Sequence, residues 1–452
     1  AACEAAALQF HFSVDPPMPI VGQTAIARLS WHIANPAEPP VISAMLKSQE
    51  SINCGSFISS GEGDRRQSMT ATLKVSNPPI DPMTGWHGLM INPSGLHAEV
   101  FVKISETDFI VPICPDTVFS TKPACTGQIT PKRALLRHGQ DTGLEIQLQL
   151  DRTLMRDESV HLILPDGWKS DRKAMIGGDK HGEFIKVPDA ASQGHYRVSA
   201  KVQDQMVFST QNLSYAHIRP QTRFMSTTTD IALVDTVGLD GLTIGWIDGG
   251  VDEAHYWASQ LGANIIQLDD NRLITGDFDK LDVIVVGVFA GASRPLNRSM
   301  PHLRHWIEKG GHFVSQYHRP IDNWDKTLSA PLTMQPGSPS IRWRVTDASA
   351  PVNILQPDHH LLAHPNGITD KDFDGWVKER GLYFASEWDP AYVPLLAMSD
   401  ANEQPLEGGL LAAQIGKGRH VHCALNLFYQ MDNMVVGAFR LFANLLTPAS
   451  RK

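Results

Sequence analysis

The chain has 452 residues, 42% hydrophobic and 19% charged, with 48 acidic residues against 39 Lys and Arg and a formal charge of -9. Such a length points to two to four soluble domains. Scattered basic residues argue against a nucleic-acid partner, and no apolar run approaches the ~18 residues of a spanning helix.

The first ten residues, AACEAAALQF, lack the basic and apolar regions of a signal peptide and read as a cut point in a longer gene product. From Leu8 the pattern alternates, with Leu8, Phe10, Phe12 and Val14 on one face, then Ala25, Ala27, Leu29, Trp31 and Ile33. These are half-buried strands. Shorter strands are expected near Ala71 to Val75 and Ala98 to Ile104, separated by loops such as SSGEGDRRQ, and residues 1–140 read as an antiparallel β-sandwich. Between this module and the next, TDFIVPICPDTVFSTKPACTGQITPKR is expected to be irregular, a long loop.

Residues 141–220 carry a cleaner alternation, with Leu144, Ile146, Leu148 and Leu150 facing one way. Val160 to Leu164 ends in a Pro165-Asp166-Gly167-Trp168 turn, and Tyr196 to Val202 with Met206 to Phe208 complete an immunoglobulin-like module. SYAHIRPQTRF is read as the linker onward. Trp31, Trp86 and Trp168 are expected to pack in cores or turns rather than to form carbohydrate platforms.

Residues 221–452 read as a doubly wound α/β domain. Leu242 to Ile247 is a strand, Asp248-Gly249-Gly250 breaks it, Ala254, Trp257, Ala258 and Leu261 have helical spacing, and Ile265 to Leu268 is apolar again. Asp282 to Ala290 has the continuous apolar run of a strand covered on both faces. Leu303, Trp306 and Ile307 mark a helix ending at Gly310-Gly311, followed by the strand HFVSQYH. After a loop-rich stretch from Gln335 to Asp370, in which Ile341 to Val345 is a possible strand, come two strands joined at Gly416-Lys417-Gly418 and a closing helix.

The segments SYAHIRPQ, DVIVVGVFA, WIEKGGHFVSQYH, ITDKDFDGWVKERGLYFASEWDPAYVPLLAMSD, GGLLAAQIGKGRHVH and AFRLFANLL resemble the C-terminal region of long bacterial proteins of the PIG-L deacetylase family. The resemblance covers roughly 150–450, and the ITDKDFDGWVKERGLYFASEWDP block is its specific part. In that family a zinc-dependent sugar de-N-acetylase domain precedes β-sandwich modules and a class I glutamine-amidotransferase-like domain. The resemblance implies a bacterial, carbohydrate-associated protein, an extracytoplasmic location, and a deacetylase domain as partner in cis or in trans.

Two departures stand out. There is no Ala-His-Pro-Asp-Asp-Glu-type motif, and Pro357-Asp358-His359-His360 and His364-Pro365-Asn366 lack the order of a zinc site. This chain is therefore expected to hold no metal and no cofactor, zinc belonging to the separate deacetylase domain. The adjacent His359 and His360 are expected to cap or bond backbone. An amidotransferase also needs an activated Cys at a strand-to-helix turn, where this chain has Ser315-Gln316-Tyr317-His318-Arg319. Cys423 falls in a strand and reads as an inert core thiol. Of the five cysteines, Cys3, Cys54, Cys114, Cys125 and Cys423, only Cys114 and Cys125 are placed for a disulfide across a short loop.

The catalytic residues stay unassigned. Polar and aromatic groups at expected carboxyl ends of strands define a candidate ligand cleft of Asp248, Gln316, Tyr317, His318 and Arg319, with Tyr383, Glu387, Trp388 and Asp389 converging on it and Asp372 and Asp374 outside. In that cleft Trp388 or Tyr383 would stack on a sugar ring while carboxylates and Arg319 bond hydroxyls. The structural alternative has Asp248 capping a turn and Glu387 and Asp389 pairing with Arg380. Three functions follow: a glycan-binding accessory region, a carbohydrate hydrolase using Tyr317, His318 and the Glu387 to Asp389 carboxylates, or a protein-interaction scaffold.

Overall fold

The computed structural model describes residues 8–20, 23–33, 41–48, 52–59, 66–75, 96–104, 106–116, 122–172, 179–216 and 221–449. The readings made of Cys3, Trp86 and the first residues lie outside this set. Strand predominates over helix.

The alternating N-terminal sequence folds as its period requires. Leu8–Asp15 pairs antiparallel with Thr24–Ile33, which pairs in turn with Arg66–Val75. A second sheet of Val41–Lys47, His97–Ile104 and Thr107–Ile113 supplies its own buried residues to the same core. Phe12, Leu29, Trp31, Leu73 and Val100 are buried in that core.

Part of the stretch expected to be irregular is strand. Thr107–Ile113 extends the first sandwich, and Cys125–Thr130 pairs with Gly143–Leu150 in the second. Its prolines and cysteines interrupt the alternation that periodicity depends on. The second sheet system takes in strands on both sides of the 141–220 span, from Cys125–Thr130 to Thr228–Val234, and the expected linker runs into the strand Gln221–Ser226. Arg133–Arg137 runs parallel to Thr228–Val234, a pairing too distant in sequence to foresee. Ile146, Leu148, Ile185, Val198 and Ile231 form the core, where Trp168 packs 5.0 Å from Tyr196. Cys114 is exposed and Cys125 buried, and both are free thiols, so the disulfide admitted by the spacing does not form.

In the last domain we label β1 (Thr243–Ile247), α1 (Ala254–Gln260), β2 (Asn264–Gln267), α2 (Asp270–Thr275), β3 (Val283–Val286), α3 (Leu296–Glu308), β4 (His312–Gln316), β5 (Val393–Pro394), β6 (Leu410–Ile415), β7 (Gly418–Cys423), α4 (Leu427–Asp432) and α5 (Val436–Leu445). The sheet order is β2-β1-β3-β4-β7-β6-β5. From β2 to β7 neighbours are parallel, and β6 and β5 close the edge antiparallel. All four residues of β3 are buried because helices cover both faces, with α1, α4 and α5 on one and α2 and α3 on the other. The sequence reading passed over α2, a short helix capped by Asp269, whose carboxylate accepts the Arg272 N–H at 2.8 Å. The segment read as a possible strand at Ile341 to Val345 is a 3-10 turn over Ser340–Arg342 and a two-residue strand after it.

The second sandwich and the α/β domain share a core. Leu135, Ala232 and Val234 join the cluster containing Trp257 and Phe439. Arg133 bridges Glu253 at 3.1 Å and Asp432 at 2.5 Å, with its guanidinium 5.5 Å from the Trp257 ring centre.

Candidate functional site

The strand order reverses between β1 and β3, and the loops at their carboxyl ends meet there. Gly249 follows β1 where a Cβ would lie 2.2 Å from the Val288 carbonyl oxygen, so only glycine lets the two loops touch. Asp248 Oδ1 accepts the Gly250 N–H at 2.8 Å, the turn-capping role foreseen for it. Asp252, 7% exposed, accepts N–H groups of Ala254 at 2.9 Å and Val288 at 3.0 Å. Burial raises its carboxyl pKa, and these two donors partly offset the rise.

Above this crossing lies an aromatic tier. Phe289 follows β3, Tyr317 follows β4, and Tyr383 arrives from the long segment before β5. Tyr317 and Tyr383 stack at 6.1 Å with 27° between planes, and Phe289 meets both edge-on at 5.5 and 5.9 Å. Phe289 and Tyr383 both hold φ at 57°, a left-handed backbone uncommon for residues other than glycine and costing about 1 kcal/mol or more each. Arg319 places its guanidinium 4.2 Å from the Phe289 ring centre and is fixed there by Asp322, at 2.9 and 2.6 Å. Tyr317 is 3% exposed, and its phenol pKa is raised by burial and then by the Glu379 and Asp252 carboxylates, so the hydroxyl remains a donor.

Behind the tier, Ser315 Oγ lies 2.9 Å from His420 Nε2 and 3.0 Å from His422 Nδ1, while His420 Nδ1 lies 2.6 Å from the Tyr392 hydroxyl. His318 Nδ1 donates to the Gln316 carbonyl at 2.8 Å, which leaves its buried Nε2 a lone-pair acceptor without a partner. The Nε2 of His422 and of Gln316 are likewise buried and unpartnered. Burial pushes His422 down to about 3 and His318 to about 4, so all three imidazoles are neutral.

Of the predicted cleft residues, Asp248, Gln316, Tyr317, His318, Arg319 and Tyr383 gather at this edge. Glu387, Trp388 and Asp389 do not join them. The FASEWDP segment is not a free loop: Ala385–Trp388 is a strand pairing with Met334–Pro336, where Glu387 contacts Lys326, Trp388 packs on the α3-side core, and Asp389 Oδ1 accepts the Ala391 N–H. Arg380 pairs with neither Glu387 nor Asp389, donating to the Ala350 and Phe373 carbonyls. Asp372 and Asp374 line a separate cavity of about 540 Å³ beside the second sandwich, with Asp372 held by Arg440 at 2.8 Å. His359 caps its own short helix through Nδ1, as expected of it, whereas the Nδ1 of His360 is buried without a partner. Burial pushes the Cys423 thiol up to about 12, which leaves it without thiolate character at neutral pH.

Sequence reasoning missed Asp252, Phe289, Glu379 and the imidazole pair. Asp252 sits a few residues after a recognised strand, which was the available signal, whereas Phe289 fell inside the run read as a strand to Ala290; the strand ends at Val286, and the backbone turns left-handed at Phe289. His420 and His422 alternate on one strand, a spacing that puts both on the face of Ser315.

Neither a family model nor a curated protein matches the chain. Among solved structures, it is similar to the Escherichia coli adhesin FdeC (11% identity, 50% of this chain and 63% of that one, TM-score 0.17). It is also similar to the exo-β-1,4-mannosidase Op5Man5 from Opitutaceae bacterium strain TAV5 (14% identity, 46% and 36%, TM-score 0.27) and to the I9–I11 tandem of titin (7% identity, 53% and 72%, TM-score 0.20). The match spans less than two thirds of the first two. Likenesses at these scores carry no argument about activity.

Proposed function

We propose that this chain is a glycan-binding accessory region that does not hydrolyse glutamine and works beside a PIG-L-type sugar de-N-acetylase, in cis or in trans and outside the cytoplasm. Zinc chemistry then belongs to that deacetylase. The observation that carries the reading is the stacked Tyr317 and Tyr383 pair at the strand crossing, beside the buried, unpartnered His318 Nε2 and Gln316 Nε2. Aromatic faces with a few convergent polar donors suit a sugar ring, whose C–H faces stack and whose hydroxyls bond. The ITDKDFDGWVKERGLYFASEWDP block supports the same reading, since it supplies Glu379 and Tyr383 to the tier.

Calorimetry against a panel of neutral and amino-sugar oligosaccharides tests it. Tyr317→Phe keeps the ring and removes only the hydroxyl, so it should leave the melting temperature unchanged while weakening a bound saccharide about tenfold, the worth of one hydrogen bond. Glu387→Gln and Trp388→Ala should leave affinity as in the wild type. Saccharide binding that Tyr317→Phe does not affect, or ammonia released from glutamine by the purified chain, would overturn the proposal.

A further inference from the structure

At the opposite edge of the same sheet, where β4 and β7 begin, we infer a second site that holds a small organic monocarboxylate against Arg419. This guanidinium is 6% exposed and forms no salt bridge among the described residues. Its described partners are neutral: Nε donates to His312 Nδ1 at 3.3 Å and Nη2 to the Thr447 carbonyl at 2.8 Å. His312 is fixed as the neutral tautomer because its Nε2–H donates to the Leu445 carbonyl at 2.7 Å. A buried charge is ordinarily paired, and here the counter-charge is missing. The carbonyls ending α5 lend roughly half an elementary charge, which leaves the rest uncompensated.

A cavity of about 610 Å³ opens beside Thr447, the residue whose carbonyl accepts the Arg419 N–H, and is lined by Thr447 with Val237, Gly238, His360, His364 and Pro365. His360 presents a buried Nδ1 with no partner, its ring 5.8 Å from that of His364. The charged or titratable groups acting on His312, His359 and His360 are Arg419, His364 and one another, with no carboxylate among them, and His359 Nδ1 is already spent on the Leu361 N–H. One fixed positive charge matches one carboxylate better than a phosphate dianion, and the Val237, Pro365 and Ala449 walls suit a short apolar tail.

Ring resonances of His312 and His360 in the full chain, followed by NMR during titration with sodium butyrate, test the site. Sodium chloride and inorganic phosphate at equal ionic strength serve as the other arms. A saturable response to butyrate is expected, with the His360 midpoint moving up because a bound anion favours imidazolium. Arg419→Gln should weaken butyrate at least about tenfold. Val237→Trp, filling the cavity from its wall, should abolish the response while Arg419 stays in place, and it decides the matter alone if Arg419→Gln fails to fold. A response that chloride reproduces, saturation by phosphate without butyrate, or butyrate binding unchanged by the variants overturns the assignment.

Discussion

Asp252 Oδ2 accepts the Val288 N–H at 3.0 Å, so a side chain from the loop after β1 holds the main chain of the loop after β3. The next residue after Val288 is Phe289, whose left-handed backbone aims its ring into the aromatic tier. Asp252→Asn keeps the size but turns one acceptor into a donor facing an N–H. It should cost about 1–3 kcal/mol, the penalty of an unmet buried group. Denaturant unfolding measures this, and hydrogen exchange at Val288 and Phe289 should rise with it.

Ser315 holds two buried imidazoles through one hydroxyl. Ser315→Ala strands a nitrogen of each, and a loss of about 2–4 kcal/mol is expected. Full stability in that variant would mean the hydroxyl link is dispensable.

Acid should destabilise the α/β domain well before ordinary carboxylates protonate. Burial pushes His312 and His422 down to about 3 and His318 to about 4, whereas the unfolded chain takes up these protons near pH 6.5. Between those limits the unfolded state binds more protons, so stability is full above about pH 6.5 and falls as pH drops toward 4. Asp252, with its raised pKa, works weakly the other way. A melting temperature that stays flat from pH 7 to 4.5 would contradict the assignment of these histidines as neutral.

A fragment beginning at residue 235 removes Leu135, Ala232 and Val234 from the shared core and leaves Glu253 and Asp432 without Arg133. It should bind hydrophobic dye and aggregate, whereas a fragment beginning at residue 122 should melt in one transition. Two separate calorimetric transitions in the longer fragment would show that the interface does not couple the two parts.

Local pattern made much of the architecture legible. Alternation at Leu8 to Val14 and Leu144 to Leu150 gave half-buried strands, and the unbroken run at Val283–Val286 gave a strand covered on both sides. Where alternation was broken by proline, as in Thr107–Ile113, or where an element had only six residues, as in α2, the period carried too few repeats to be read.

The sequence by itself determined that this is a multidomain chain of β modules followed by an α/β domain, because periods of 2 and 3.6 are properties of neighbouring residues. It also determined the absence of a cysteine from the Ser315 to Arg319 turn. Only the tertiary structure decided which polar residues meet. Tyr383 stacks on Tyr317 from 66 positions along the chain, while Glu387, four residues further, belongs to another corner, since the left-handed backbone at Tyr383 turns the chain before Ala385–Trp388 begins and that strand pairs with Met334–Pro336. It decided too that Arg419 is buried without a counter-charge among the described residues, because burial and pairing depend on chain segments brought together from β4, β7 and the end of α5.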